Sequence, residues 1–284
     1  MYYQVGSSIL TVNEGIATLQ TENRGATEIL PFDAINLSEI ERFRFDPVSA
    51  CNARCVFCFA DFANIPVRQL PMEDLELAMS LPTLQTSNIS VGCSYEPLLG
   101  KNFEKYPALL RRYQRDWKVI IATNGLNLNK KDLTPWVDLG FDHLHVSIHS
   151  NKDHIYDRVL GTKNGLKQVE ANMRETRKRF PRLDIRVTNV ISKDNSENLL
   201  DYCRWAFDEL GVNRVELYRA LFYDLEHLQH HVDYWYESQG RHPRLSDAEW
   251  DDAISECKEV YPQLVEGRFS ENSVAYVVFE RNGG

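Results

Sequence analysis

The sequence predicts an α/β fold: a parallel sheet curved into a partial (β/α)6 barrel of the TIM type, with a β-hairpin before it and a helix-and-strand extension after it. Three observations carry this reading. Six β-prone runs alternate with helix-period stretches between residues 43 and 220. The repeat takes about 25–40 residues, enough for the right-handed crossover that parallel neighbours require. The 284 residues, 43% of them hydrophobic, are also enough to bury one barrel-sized core.

In chain order, residues 3–12 and 16–19 are apolar and β-prone, and the turn-forming triplet Asn13-Glu14-Gly15 separates them, which reads as a hairpin. A polar linker, 21–31, follows, so residues 1–42 read as an appendage. The first barrel strand is placed at 44–48 around Phe45 and Val48, and the first helix at 71–81, with Pro71 early where its missing N–H costs little. Strand two at 88–91 precedes a helix at 103–115, and strand three at 118–122 precedes one at 131–139. Strand four, 143–148, leads to a long helix at 165–179, in which Leu166, Val169, Met173, Thr176 and Phe180 recur at helical spacing. Strand five at 184–190, a helix at 197–210 ending before Gly211, and strand six at 214–218 complete the core, 43–220. The rhythm then stops. Residues 222–242 are rich in His, Tyr, Trp and charge, Ser246 and Glu249 read as a capping box for a helix to about 260, and 274–279 reads as a strand. Residues 221–284 thus form an extension closing the barrel.

A net charge of −9 argues against a surface that binds duplex DNA or long RNA by neutralising phosphates. No apolar run approaches the ~18 residues of a membrane span, and the first residues have neither the basic segment nor the apolar core of a signal peptide, so a cytoplasmic protein is expected. Of six cysteines, Cys51, Cys55 and Cys58 are clustered while Cys93, Cys203 and Cys257 are scattered. That is unlike a secreted disulfide framework and fits a reducing compartment. The scattered three do not supply a ligand set for a second metal cluster.

Chemistry concentrates in Cys51-Asn52-Ala53-Arg54-Cys55-Val56-Phe57-Cys58. Structural zinc and ordinary iron–sulfur clusters take four protein ligands, so three close thiols leave one coordination position for a non-protein ligand. The spacing C-x3-C-x2-C, with an aromatic before the last cysteine, resembles the radical S-adenosylmethionine (SAM) superfamily. The resemblance implies that Cys51, Cys55 and Cys58 hold three irons of a [4Fe-4S] cluster, that SAM chelates the fourth, and that the Phe57 backbone lies against the adenine. It covers roughly residues 43–220.

The ends of the later strands extend it. Gly92-Cys93-Ser94-Tyr95-Glu96-Pro97 is similar to the family's Gly-Gly-Glu-Pro, which takes the amino group of SAM, with Ser94 and Tyr95 standing in for the two glycines. Thr123-Asn124-Gly125 is similar to the Thr-Asn-Gly turn after strand three, although Asn-Gly is also a frequent plain turn. Ser147 and His149 alternate onto one face and suit a ribose or carboxylate contact, a satisfied core histidine being the alternative. By resemblance the end of strand five lies near the adenosine, with Asn189 a polar contact and Val190 or Ile191 an apolar wall, while Leu217 or Tyr218 closes the adenine side. Cys93 reads as a small buried residue, and His227, His230 and His231 as a polar face or substrate wall.

The resemblance implies a radical SAM enzyme that receives one electron from a flavodoxin-like or similar reductant. It would cleave SAM to a 5′-deoxyadenosyl radical and take hydrogen from a peptide or amino-acid-like substrate. The alternative is a nucleoside, sugar or other small molecule. More remote are an iron–sulfur electron carrier and a zinc-binding module. The N-terminal hairpin and residues 222–242 are the candidate lid.

Overall fold

The computed structural model of the chain describes residues 2–5, 8–13, 16–21, 27–30, 40–58, 60, 66–80, 86–92, 94–113, 116–220, 244–268 and 275–281. They belong to two compact units, Met1–Ala50 with Pro66–Ala122 and Lys131–Asp142, and Cys51–Ile65 with Thr123–Lys130 and His143–Gly284.

The first unit opens with β1 (Tyr2–Val5), β2 (Ser8–Asn13), β3 (Ile16–Thr21) and β4 (Thr27–Leu30). β2 and β3 form the expected hairpin, with Asn13 opposite Ile16, but the run expected as one strand at 3–12 is divided between β1 and β2, which pair with each other. β1 and β4 add an antiparallel strand on either side of it, so the appendage is a four-stranded meander and part of the expected linker is strand. Next comes β5 (Ile40–Phe45), whose Phe43 stands opposite Tyr3 of β1 in an antiparallel pair. β5 starts and ends earlier than the 44–48 expected because Pro47 offers no N–H to a ladder; beyond it only Val48 makes an isolated bridge, to Gln69.

The unit continues with α1 (Met72–Ser80), β6 (Asn88–Val91), α2 (Tyr106–Arg111), β7 (Lys118–Thr123) and α3 (Thr134–Leu139). β5, β6 and β7 are parallel. The helix expected at 103–115 is shorter and begins as a separate 3-10 turn at Phe103–Lys105; the main helix then carries Pro107 in its first turn. Asp132 accepts a hydrogen bond from the Thr134 N–H at 2.9 Å, which delays α3 to Thr134. Phe43, Ile89, Val91, Val119, Ile121, Leu110 and Trp136 are all buried and form the core of this unit.

The second unit holds β8 (His143–Ser147), α4 (Asp153–Leu160), α5 (Gly165–Arg179), β9 (Asp184–Ile191), α6 (Leu199–Asp208), β10 (Arg214–Arg219), α7 (Asp247–Val260), β11 (Gln263–Arg268) and β12 (Ala275–Glu280). β8, β9 and β10 are parallel neighbours, and β12 closes on β10 antiparallel, with Leu217 opposite Val277. The capping box is present: the Ser246 hydroxyl accepts from the Glu249 N–H, and the Glu249 carboxylate accepts from the Ser246 N–H. β11 was not foreseen; most of its residues are exposed, and Gly267 interrupts the apolar pattern.

Strand parity divides the strands of this unit. Ile185, Val187, Asn189 and Ile191 of β9 and Val215 and Leu217 of β10 are buried, whereas Arg186, Thr188 and Val190, with Ser147 and Tyr218 on the flanking strands, are half-buried. The register joins like to like, Asn189 to Leu217 and Val190 to Tyr218. No helix among the described residues is long and apolar enough to cross a membrane.

Candidate active site

The cysteine segment lies in the second unit as a loop fastened to the end of α4. The Arg54 N–H donates to Leu160 O at 2.8 Å and the Val56 N–H to Val159 O at 3.0 Å. These satisfy carbonyls that a helix C-terminus otherwise leaves without partners. Gly161, at φ +63°, follows the helix, and a Cβ there would stand 3.1 Å from Arg54 Cβ. Ala53 and Val56 are buried, while the three cysteines between and beside them are half-buried.

Polar hydrogens surround the sulfurs. Ala53 N–H approaches Cys51 Sγ at 3.4 Å, and Ala60 N–H approaches Cys58 Sγ at 3.5 Å. Asn124 Nδ2 lies 3.7 Å from Cys51 Sγ and donates to Asn52 Oδ1 at 2.8 Å. Burial, and then the neighbouring Cys58 and Cys51, push the Cys55 thiol far above the ordinary thiol range; burial likewise raises Cys58. Three clustered thiols, two of them near N–H donors, form a donor set whose ionised state positive charge such as iron would stabilise. Among the described residues no three Cys, His, Asp or Glu side chains close around a single metal ion. A [4Fe-4S] cluster takes its cysteines one to each iron, so the three thiols would serve it as separate ligands.

The other predicted residues of this unit divide into several roles. Thr123 is buried, and its hydroxyl accepts from the Gly125 N–H at 3.0 Å, the turn role. Asn124 makes the same kind of turn bond to the Leu126 N–H but turns its amide to the cysteine loop. Gly125 has φ +78°, and an added Cβ would meet Val146 Cγ1 at 2.8 Å.

His149 is buried and packs edge-on against Phe57, with ring centroids 4.8 Å apart. Its Nδ1 accepts from the Val190 N–H at 3.1 Å, so the ring proton of the neutral form sits on Nε2. Burial pushes its pKa down to about 3.

Asn189 and Leu217 turn out to occupy the buried sheet face rather than the half-buried one that Val190 and Tyr218 share. Period-2 alternation makes this a one-residue difference. Tyr218 carries a further arrangement on the half-buried face: its hydroxyl donates to Glu216 at 3.0 Å, its ring stacks on Tyr276 at 5.9 Å, and His145 Nε2 lies 3.4 Å from Glu216.

Sequence reasoning missed Asn195. Its Nδ2 donates to His149 O at 2.7 Å, Val190 O at 2.9 Å and Asn189 Oδ1 at 3.0 Å, and its Oδ1 accepts from the Ser192 N–H at 2.7 Å. One buried amide thus ties the end of β9 to His149; nothing in the Asn195 neighbourhood of the sequence marks it out from a loop polar residue.

In the first unit, the Ser94 and Tyr95 N–H groups donate to the Asp46 carboxylate at 3.2 Å each. Glu96 is buried, donates its N–H to Ala50 O, and accepts from the Leu98 N–H at 3.1 Å, which caps the 3-10 turn Pro97–Leu99. Gly92, at φ +79°, has Ala122 O only 2.5 Å from where a Cβ would be. Asp46 is the partner that sequence reasoning did not name. Cys93, His227, His230, His231 and the candidate lid 222–242 lie outside the described residues.

Residues 46–206 match the family profile described as Radical SAM superfamily. The chain is 28% identical over 178 residues to the GTP 3',8-cyclase of Helicobacter pylori (strain J99), over 59% of this chain and 52% of that one. It is 26% identical over 202 residues to the GTP 3',8-cyclase of Vibrio atlanticus, over 66% and 58%. The chain therefore spans about half the length of the curated relatives it matches.

Among solved structures, TYW1 with a lysine-pyruvate adduct bound has a TM-score of 0.59 at 12% identity, covering 94% of this chain and 91% of that one. Coproporphyrinogen III oxidase (HemN) from Escherichia coli, described as a radical SAM enzyme, has 0.56 at 14%, covering 84% and 55%. These likenesses show the fold, the partial TIM-type barrel that the strand–helix rhythm predicts.

Proposed function

Because the chain belongs to the radical SAM superfamily, and so is an enzyme of a family that uses a [4Fe-4S] cluster and SAM, we propose that its substrate is a nucleotide or a related small molecule. The relatives named GTP 3',8-cyclase support this over the peptide or amino-acid-like substrate that the sequence first suggested. A likeness to Streptococcus suis SuiB bound to its precursor peptide, at 14% identity and TM-score 0.51, extends to the fold alone.

The observation that carries the reading is the cysteine loop: three thiols on a segment pinned to α4, with N–H donors at Cys51 and Cys58. When bound, the cluster with SAM would supply reductive cleavage of the sulfonium, drawing on one electron from an external reductant. Cys51, Cys55 and Cys58 would hold it, and the amide of Asn124 steadies Cys51. Phe57 and His149 form an apolar, uncharged wall, since a histidine with pKa about 3 carries no charge near neutrality. Such a wall excludes water from reactive chemistry without adding an ion to it. On the half-buried face Ser147, Val190 and Tyr218 support contact with a nucleoside, Tyr218 and Tyr276 offering aromatic surface and Glu216 an acceptor. The residues that the resemblance assigns to the amino group of SAM, Ser94, Tyr95 and Glu96, are held by Asp46 and Ala50 within their own unit.

Anaerobic reconstitution with iron and sulfide tests the proposal. The reduced protein should change its electron paramagnetic resonance signal on adding SAM and release 5′-deoxyadenosine. Cys55→Ala should abolish that release and Cys257→Ala should leave it intact, because Cys257 lies fully buried beside Cys203 at 3.9 Å. Fully deuterated GTP and other deuterated nucleotides should pass deuterium into 5′-deoxyadenosine; transfer from peptides and none from any nucleotide would reverse the substrate assignment.

A further inference from the structure

From the cavity at the N-terminus of α7 we infer a binding site for a phosphate or pyrophosphate group, separate from the cysteine loop. The cavity, about 370 Å³, is lined by Lys193, Arg219, Arg244, Ser246, Asp247 and Glu249. Three of these are cations and two are carboxylates, and the positive end of a fourteen-residue helix faces the same space.

The second observation is Arg219. It ends β10 at 2% exposure, far more buried than an arginine ordinarily is. Its Nη1 donates to Asp247, while its Nε is buried without an acceptor among the described residues. A guanidinium offers five donors in a fixed fork that matches a phosphate at two points. One carboxylate oxygen uses one of them. A buried cation paired with a single carboxylate carries a desolvation cost that a ligand with several acceptor oxygens at the cavity would lower.

The surrounding acids do not block such a ligand. The side chain of Asp247 is 60% exposed and that of Glu249 46% exposed. Glu249 can swing into water at little cost when an oxyanion arrives, since exposed ion pairs contribute little, while Asp247 keeps its place on Arg219. Lys193, two residues past the end of β9, pairs with Glu249 at 3.2 Å and stands ready to exchange that partner for a dianion. Two strand ends and one helix start therefore direct positive charge into one cavity. An opposed reading, in which the pairs Arg219–Asp247 and Lys193–Glu249 merely close the surface, leaves a cavity of about 370 Å³ with three cations around it unexplained.

This inference does not depend on the radical chemistry or on the identity of the substrate. The test is calorimetric titration of the anaerobically reconstituted full chain with pyrophosphate, GTP and guanosine. Pyrophosphate and GTP should bind, with affinity falling as salt is raised. Arg219→Gln and Lys193→Ala should each weaken pyrophosphate by about tenfold or more, the effect of losing one charge-assisted hydrogen bond. Glu249→Gln, which removes a competing negative charge, should tighten it by about two- to fivefold. GTP binding far more tightly than pyrophosphate assigns the site to a nucleotide's phosphates, and equal affinities assign it to the free anion; guanosine should not compete for it in either case. If Arg219→Gln loses its fold, Lys193→Ala and Glu249→Gln decide the matter from the surface. No binding of pyrophosphate or GTP, or binding unchanged in Lys193→Ala and Glu249→Gln, overturns the inference, whatever the SAM cleavage assay returns.

Discussion

Replacing Asn195 by alanine removes one side chain and strips hydrogen bonds from four groups at once. The lost Nδ2 had served His149 O at 2.7 Å, Val190 O at 2.9 Å and Asn189 Oδ1 at 3.0 Å, and the lost Oδ1 had served the Ser192 N–H at 2.7 Å. Asn195 is 5% exposed, so water does not readily take its place. A buried polar group left unmade costs about 1–3 kcal/mol, and partial rescue by rearrangement or an entering water lowers the sum. Counting two of the four groups as stranded gives a loss of about 3–4 kcal/mol. That is a large part of the 5–15 kcal/mol typical of a folded domain. Anaerobic urea denaturation followed by far-ultraviolet circular dichroism measures it directly, and hydrogen exchange at the Val190 amide reads whether His149 has moved. Asn195→Asp should be worse than Asn195→Ala near neutrality, because a carboxylate would face three acceptor oxygens. It should regain stability as acid protonates it. A loss below about 1 kcal/mol for Asn195→Ala, or an aspartate better tolerated than alanine at pH 7, would refute the view that this amide holds the site together.

Two further outcomes follow from the same geometry. His149 has a folded-state pKa of about 3 against an unfolded value of 6.5. The unfolded chain therefore takes up the proton first, and the stability contributed above pH 6.5 is lost as pH falls from 6.5 towards 3. At ~1.4 kcal/mol per pH unit the loss is up to about 5 kcal/mol. Denaturation at stepped pH should show that slope in the parent and a shallower one in His149→Gln; equal slopes would remove His149 as the cause. Gly161→Ala sets a Cβ 3.1 Å from Arg54 Cβ at a φ of +63°, whereas Gly140→Ala, at φ +86°, meets nothing within 4 Å. Both pay about 1–2 kcal/mol for the left-handed backbone, but only Gly161→Ala should also lower the iron bound after reconstitution; equal iron in the two variants would show that the buttress on the cysteine loop is not needed.

Much of the architecture was legible because it is periodic. Leu166, Val169, Met173 and Thr176 recur at helical spacing and are all buried on α5, and the Ser246–Glu249 box starts α7 where it was read. Departures occurred where a local rule overrode the pattern. Pro47 ended β5, Asp132 delayed α3, and the run at 3–12 divided into two strands, the first of which also pairs with β5 from Tyr3 to Phe43. The cysteine trio stands out in the sequence by residue type and spacing, and the fold sets it on one loop fastened to the end of α4. The neighbours that make it a site were less so: Asn124 matched a turn motif, while its approach to Cys51 bridges 73 positions.

Order along the chain thus determined which residues could be strand, helix or ligand, since those properties belong to a residue and its near neighbours. Only the folded chain decided which side chains meet. Whether Asn189 or Val190 faces the half-buried side turns on a parity that one residue reverses, and the Asn195 hub and the cation-lined cavity beside α7 are each assembled from segments far apart in sequence. Hydrogen bonds and charges act through distances in space, and those distances exist only once the segments have packed.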